Sequence, residues 1–452
     1  MNTKSHEMDM TNGGLAGKIL VFVLPLMLSG ILQTFFNAAD VIVVGRFAGS
    51  ESLAAVGSAA SLGNLLLNLF IGFSVSTNIL VARAYGAKNQ REIDLTVHTS
   101  MLVSVIGGII VGTLGILLSK SALLLMGTPD DVIDLSVIYF NVCMIGEPAI
   151  LIYNFGSAIL RAVGDTRRPL YIILLSGILN VLFNLIFVIV FRLGVTGVAL
   201  ATIISQYISA VLIVICLMKS KSTIRLELKK LAVDKKVLKK IINIGVPSGL
   251  QGIVFSLSNI VLQSAINSFG SATMAGCAAA GNIEGFIYVA MNSFYQSVMT
   301  FTGQNAGANK FDRVRKSLFI SMIYVTVTGL LLGNLAFFFI KPLLGLYTDS
   351  ASALAEGVKR SLCVLPLYFL CGAQEVAVGC IRGLGYSVVP MLVSLIGACG
   401  LRLLWVFTIF KMHRSLIMLF VSYPVSWAVI LIAHSIYLYF VYKKSARAAS
   451  LN

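Results

Sequence analysis

Apolar runs long enough to cross a lipid bilayer recur along the whole chain, for example at residues 19–34, 172–190, 317–340 and 415–441. A helix needs about 20 mostly apolar residues to span the hydrocarbon core, and a chain that repeats such runs has few other ways to fold. Only 12% of the 452 residues are charged and 58% are hydrophobic, too little charge to coat a soluble protein of this size. Gly and Pro inside the runs are tolerated in membrane helices. The pattern predicts an all-α integral membrane protein with twelve transmembrane helices. The first six spans are expected at 15–45, 53–80, 95–118, 132–160, 169–193 and 195–218. The rest are expected at 241–267, 273–303, 317–346, 351–381, 389–410 and 414–442. Residues 1–14 are polar and no cleavage site follows, so the first run reads as a retained span.

The net charge of +16 raises the question of a nucleic-acid partner, and its placement answers it. Basic residues gather at the termini and at alternate loops: Lys18, Arg83, Lys88, Arg91, Arg161, Arg167, Arg168, residues 219–240, 310–316, Arg382 and 443–447. The intervening loops hold fewer: Arg46, Lys120, Arg192, Lys341, Lys359, Arg360, Lys411 and Arg414. This is the positive-inside pattern, which predicts a multi-pass protein of a bacterial plasma membrane with both termini cytoplasmic. The lipid bilayer is then the partner that the charge addresses, and nucleic acid is not. Nothing in the sequence calls for an oligomer, and a monomer is expected.

Seven cysteines and four histidines show no paired metal-ligand spacing, so no metal or cofactor is expected. No GxxxxGK[ST] loop is present, and no cluster of catalytic residues lies near one face. Work done by this chain would draw on an ion gradient, and it is not read as an enzyme.

The two halves repeat each other. With an offset of 222, Pro25, Gly30 and Asn37 meet Pro247, Gly252 and Asn259. With an offset of 221, Gly49, Gly86, Arg161, Gly164, Pro169 and Ser205 meet Gly270, Gly307, Arg382, Gly385, Pro390 and Ser426. Six spans per half means that both copies enter the membrane in the same sense. That predicts two six-helix bundles related by a pseudo-twofold axis along the membrane normal, with a central cleft, as in transporters. The expected divisions are an N-terminal lobe at 1–218, a basic cytoplasmic linker at 219–240 and a C-terminal lobe at 241–452. The linker carries nine basic and two acidic residues and suits a hinge, with room for an amphipathic helix on the inner leaflet.

Four carboxylates fall inside predicted spans, each at a cost of roughly 2.5–3.5 kcal/mol on insertion scales. Asp40 precedes Arg46 by six residues, about 9 Å below the end of its span. Asn184 and Thr202 lie at a similar depth on spans five and six, and Asn180 is one turn from Asn184 on the same face. Their repeat partners Leu262, Trp405, Tyr423 and Leu401 do not reproduce the polar set, which therefore looks specialised. Asp40, Asn180, Asn184 and Thr202 are the candidate ion-coupling residues. The carboxyl can exchange protons or, with the amide and hydroxyl oxygens, hold a transported Na⁺. Glu284 and Glu375 lie in the second half, and Tyr288, Met291, Asn292 and Tyr295 follow Glu284 at helical spacing. A carboxylate beside aromatic and Met surface suits a lipophilic cation. Gln33, Asn37, Tyr153, Gln206 and Gln251 complete the candidate cavity lining. Glu147, just before Pro148, is expected to cap a kink, and Pro25 to act as a hinge below Asp40.

These residues resemble the multidrug and toxic compound extrusion (MATE) antiporters. The resemblance covers essentially the whole chain and rests on residues 37–40, 53–57, VARAYGAKN at 81–89 and its repeat GQNAGANK at 303–310. ILRAVGDTRRP at 159–169 and IRGLGYSVVP at 381–390 complete the set. It implies twelve helices in two lobes and export of amphipathic, largely cationic organic compounds by alternating access, driven by inward H⁺ or Na⁺. In bacterial members the Asp matching Asp40 is the coupling residue, and Asn180 and Thr202 match its polar companions. Many members carry a second Asp where this chain has Asn184. A lipid-linked-oligosaccharide flippase of the same superfamily is the competing reading. It should line its cavity with several arginines for pyrophosphate, whereas the sequence places only Arg402 inside a span.

Overall fold

The computed structural model describes residues 7–450, apart from the side chains at positions 50, 53, 60, 61, 64, 65, 69 and 257. The described chain is helical throughout. The first half runs α1 (Leu15–Phe47), α2 (Ser50–Gly86), α3 (Gln90–Leu125), α4 (Asp130–Ile145), α5 (Glu147–Ala162), α6 (Arg167–Asn184) with a π-helical turn at Leu185–Val190, and α7 (Gly194–Met218). The second half runs α8 (Lys235–Asn267), α9 (Ser271–Gly307), α10 (Phe311–Phe338), α11 (Ile340–Gly345), α12 (Ala351–Val364) and α13 (Tyr368–Gly383). It ends with α14 (Val388–Ser394), a π-helical turn at Leu395–Gly400, α15 (Leu401–Phe407), α16 (Ile409–Met412) and α17 (Leu416–Ser450). Among the described residues ten helices are long and apolar enough to cross a membrane, or up to twelve if the bent pairs α4–α5 and α12–α13 are each one span.

The repeat seen in the sequence reappears in backbone geometry. Gly49 and Gly270 open α2 and α9 with φ of 89° and 98°, and Gly164 and Gly385 both adopt φ 92°. Lys88 and Asn309, 221 residues apart, both take left-handed φ just after a helix, at 54° and 56°. The bends match too, at 44° between α4 and α5 and 49° between α12 and α13. In the first, Pro148 can donate no backbone N–H, and the α3 glycines Gly108 and Gly112 let the bend approach closely. A Cβ on Gly112 would stand 2.5 Å from the Met144 carbonyl oxygen, and one on Gly108 would overlap Pro148 Cα. Their repeat partners Gly329 and Gly333 on α10 receive Phe369 and Leu365 in the same way. The seat of each bend is thus encoded twice.

Contacts divide the chain into two compact units. Unit 1 comprises Met1–Asp9 and Leu28–Gly249, and unit 2 comprises Met10–Met27 and Leu250–Asn452. The division therefore cuts α1 just after Pro25 and α8 just after Pro247. Local packing explains both cuts. In unit 1, Gly72 of α2 meets the α8 backbone at Gly245 and Gly249 with no side chain between. In unit 2, Phe22 of α1 packs edge-on against Phe301 of α9 at 5.9 Å.

The basic stretch differs from expectation. No amphipathic helix forms in it: only a single 3-10 turn at Leu228–Lys230 precedes α8, whose first turns take up residues from Lys235. The segment is also pinned to unit 1. Ile224 and Leu226 are buried in that unit's core, the Glu227 amide donates to His98 Nε2, and Lys240 pairs with Glu92. Two basic residues read as loop charges also lie inside the fold: Arg382 is buried in the last turn of α13, and Arg360 sits in α12.

Candidate functional site

Unit 1 contains a cavity of ≈ 440 Å³ lined by α1, α2, α5, α6 and α7. Asp40 lies in its wall with Gln33, Phe36 and Asn37 of the same helix. Helix α6 offers Ser176, Gly177 and Asn180 along one stripe, and α7 offers Thr202, Ser205, Gln206 and Ser209 along another. Gly177 is what lets α1 come near: a Cβ there would overlap the ring of Phe36. Tyr153 and Asn154 of α5 add polar groups, and the Tyr153 hydroxyl donates to the Pro169 carbonyl at 3.2 Å.

The four residues expected to hold the coupling ion are brought together. The fully buried Asn184 donates from Nδ2 to Asp40 Oδ1 at 2.5 Å and to Asn180 Oδ1 at 3.3 Å. Asn180 Nδ2 reaches Thr202 Oγ1 at 3.5 Å, and Thr202 donates to the Val198 carbonyl. The chain of partners leaves Asn184 Oδ1 buried with no hydrogen bond. An acceptor oxygen without a donor beside a carboxylate can accept a bond from a proton donor or coordinate a cation. The π-helical turn begins at the residue after Asn184, and such turns recur at functional sites.

Of the ten residues expected to line a substrate cavity, Gln33, Asn37, Tyr153 and Gln206 line this one. Gln251, Glu284, Tyr288, Asn292, Tyr295 and Glu375 belong to unit 2 and do not. Glu284 is not an open carboxylate. Arg360 grips it with two bonds, Nε to Oε1 at 2.8 Å and Nη2 to Oε2 at 2.7 Å, and the pair is largely buried. Gln251 and the Tyr295 hydroxyl are likewise engaged, both accepting from Arg382 at 2.6 Å. Asn292 accepts from Gln296, Tyr288 is 42% exposed, and Glu375 lies within electrostatic range of Arg382 and Tyr288. Glu147 does not cap the α4–α5 bend. It is buried without a hydrogen bond to Oε2, and Tyr207 instead donates to the exposed Ile145 carbonyl at 2.9 Å.

Sequence reasoning missed Ser176, Ser205, Ser209, Asn154 and Phe36. The first three were visible as helical-spacing neighbours of Asn180, Thr202 and Gln206, four or fewer residues away along the same stripes. It also missed Arg360 as the partner of Glu284, because 359–360 reads as a loop charge pair. The premise that Arg402 is the one buried arginine does not hold, since Arg382 is 6% exposed and the Arg360 side chain 13%. Among the described residues no group of His, Cys, Asp and Glu is arranged to hold a metal, and all seven cysteines are free.

The chain is similar to known proteins in sequence and in fold. The probable multidrug resistance protein YoeA of Bacillus subtilis is 28% identical over 94% of this chain and 93% of its own length. The probable multidrug resistance protein NorM of Thermotoga maritima is 23% identical over 87% of this chain and 85% of its own. Among solved structures, an outward-facing multidrug resistance MATE family transporter of the MOP superfamily superposes with a TM-score of 0.91 at 22% identity, covering 99% of this chain and 100% of that one. The MatE family profile matches twice, at residues 25–186 and 247–408, the same 222-residue offset that separates Pro25 from Pro247. The chain is a multi-pass membrane transporter, not an enzyme, and it belongs to the MatE family.

Proposed function

We propose that this chain is an ion-coupled antiporter that exports amphipathic organic compounds from a bacterial cell in exchange for H⁺ or Na⁺, with Asp40 as the coupling carboxylate. The observation that carries the reading is the Asp40–Asn184–Asn180–Thr202 cluster at the wall of a 440 Å³ cavity, with Asn184 Oδ1 left unfilled. When Asp40 is ionised, the Asn184 amide group donates to it. When Asp40 is protonated, or Na⁺ lies between them, the amide oxygen becomes the useful partner, and a half-turn of the same side chain presents it. Ion binding then changes which arrangement of α1 is favoured, and Pro25, which interrupts the helix ladder, is the place where α1 can bend. The names of the relatives, multidrug resistance proteins in two bacteria, support drug-like cargo.

The placement of basic residues supports cytoplasmic termini. Pairing of Glu284 with Arg360 removes that carboxylate as a source of preference for cations, which leaves Asp40, Glu147 and Glu375, among the described residues, as acids without an ion pair. A lipid-linked-oligosaccharide flippase would need several arginines turned into one cavity, and none lines the cavity of unit 1. The test is ethidium efflux from proteoliposomes under separately imposed pH and sodium gradients. Wild-type protein should respond to one of the two, and Asp40→Asn should lose gradient-driven efflux while remaining folded and inserted. Wild-type rates in Asp40→Asn would refute the assignment.

A further inference from the structure

Unit 2 holds a guanidinium that no carboxylate answers. Arg402 of α15 is 8% exposed, and its Nε donates to Ser426 Oγ at 2.9 Å. It lies over the Tyr423 ring, 4.0 Å from the centroid, with the Trp427 ring at 6.0 Å. Among the described residues it enters no ion pair, and neither Nη group donates a hydrogen bond. Unlike Nε of Arg382, those nitrogens are not sealed from accessible space. The two other arginines inside the fold of this unit are answered: Arg360 by Glu284, and Arg382 by Tyr295 and Gln251 with Glu375 in electrostatic range. An unmatched charge at membrane depth is costly and rare, and where it persists it generally faces a use.

Its surroundings suggest the use. Tyr423 and Trp427 stand 5.9 Å apart, and Tyr368 and Phe420 extend the same ring cluster at 5.3 and 5.8 Å. The repeat adds a second argument. Tyr423, Ser426 and Trp427 are the 221-residue partners of Thr202, Ser205 and Gln206, and Arg402 follows the partner of Asn180. The position that in unit 1 surrounds a carboxylate with amides and hydroxyls carries in unit 2 a cation on an aromatic floor.

We propose that Arg402, with Ser426, Tyr423 and Trp427, binds the anionic group of an amphipathic cargo, a carboxylate or phosphate joined to a planar apolar body. This rests on the transport reading above and extends the cargo class from cations to organic anions and zwitterions. The two free Nη groups supply the parallel donors that a carboxylate or phosphate accepts, and the rings take the apolar part. A lipid phosphate has the same chemistry, so the test must separate the two sources.

The chain has two tryptophans, and the second, Trp405, donates to the Met418 carbonyl. A Trp405→Phe background therefore leaves Trp427 as the sole indole reporter. In nanodiscs of phosphatidylcholine, quenching of Trp427 by (4-nitrophenyl)acetic acid, ionised at pH 7, is compared with quenching by the neutral amide of the same acid. The acid should bind about ten-fold more tightly. Arg402→Gln should bring the two within about two-fold of each other, and Arg402→Lys, which keeps the charge and loses the fork, should retain part of the preference. Equal binding of acid and amide by the Arg402-containing protein overturns the proposal even if Arg402→Gln fails to fold. A preference that survives Arg402→Gln overturns it as well. Loss of the preference on adding phosphatidylglycerol to the nanodiscs would assign the site to a lipid headgroup and overturn the cargo assignment. Binding of acid and amide is compared without any ion gradient, whereas the antiport reading is tested by gradient-driven efflux, so failure of that reading and failure of this site give different results.

Discussion

A carboxylate at the depth of Asp40 needs hydrogen bonds, and the structure gives it one strong donor, Asn184. Removing that donor tests how far the acid depends on it. Asn184→Ala should shift coupling-ion affinity by about ten-fold, towards tighter binding of a proton, because the lost charge-assisted hydrogen bond stabilises the ion-free carboxylate; thermal stability should fall little, and the shift is read from the ion concentration that half-activates efflux. Unchanged half-activation would make Asn184 a packing residue. Glu284 is the opposite case. Because Arg360 holds it with two bonds, Glu284→Gln should strand a buried guanidinium and destabilise unit 2 by about 3–5 kcal/mol. Losses should then be equal for cationic, neutral and zwitterionic cargo, and Glu284→Gln combined with Arg360→Met should recover much of the thermal stability. A loss confined to cations would restore Glu284 as a recognition group. The sequence made Asp40 and its companions legible because depth follows from residue count along a helix. It could not show that Glu284 is paired, because its partner comes 76 residues later on a different helix.

Among the helices, the bends are what place the polar groups, and they were only half legible. Pro148 marked the first bend in the sequence; the equivalent bend between α12 and α13 has Phe369 at the matching position and Pro366 three residues earlier, a signal that the sequence reading did not use. What the two bends share is the glycine pair on the preceding helix, Gly108 and Gly112 or Gly329 and Gly333, which a single-helix reading takes for ordinary membrane-helix glycines. Gly112→Val should therefore be harmful although the residue touches neither Asp40 nor cargo. Its side chain would meet the Met144 carbonyl oxygen, and overpacking of this kind costs about 1–3 kcal/mol. The expected result is a lower melting temperature in detergent and reduced efflux, while Gly57→Ala, with open space around it, should behave as wild type. Equal behaviour of the two variants would contradict the role given to the glycine seat. The π-helical turns were not legible: they follow Asn184 in one half and Ser394 in the other, at positions the repeat does not relate.

Over the whole molecule, one repeated scaffold carries two different chemistries. The scaffold is written in glycines and prolines that recur at a fixed offset, and it was legible for that reason: backbone requirements leave the same residue at both copies. The chemistry was legible where it departed from the repeat, as at Asp40 against Leu262. The compact units were less so, since the cuts within α1 and α8 depend on glycine and ring contacts that no single helix displays. If the Asp40 cluster in unit 1 drives transport, ion and cargo must be energetically linked, and linkage is reciprocal. The direct measurement is the affinity of the purified protein for H⁺ and for Na⁺, by calorimetry in the absence and in the presence of saturating ethidium. Cargo should weaken binding of the coupling ion by roughly 5–150-fold, and Asp40→Asn should abolish the effect. An ion affinity that saturating cargo leaves unchanged would contradict antiport through Asp40.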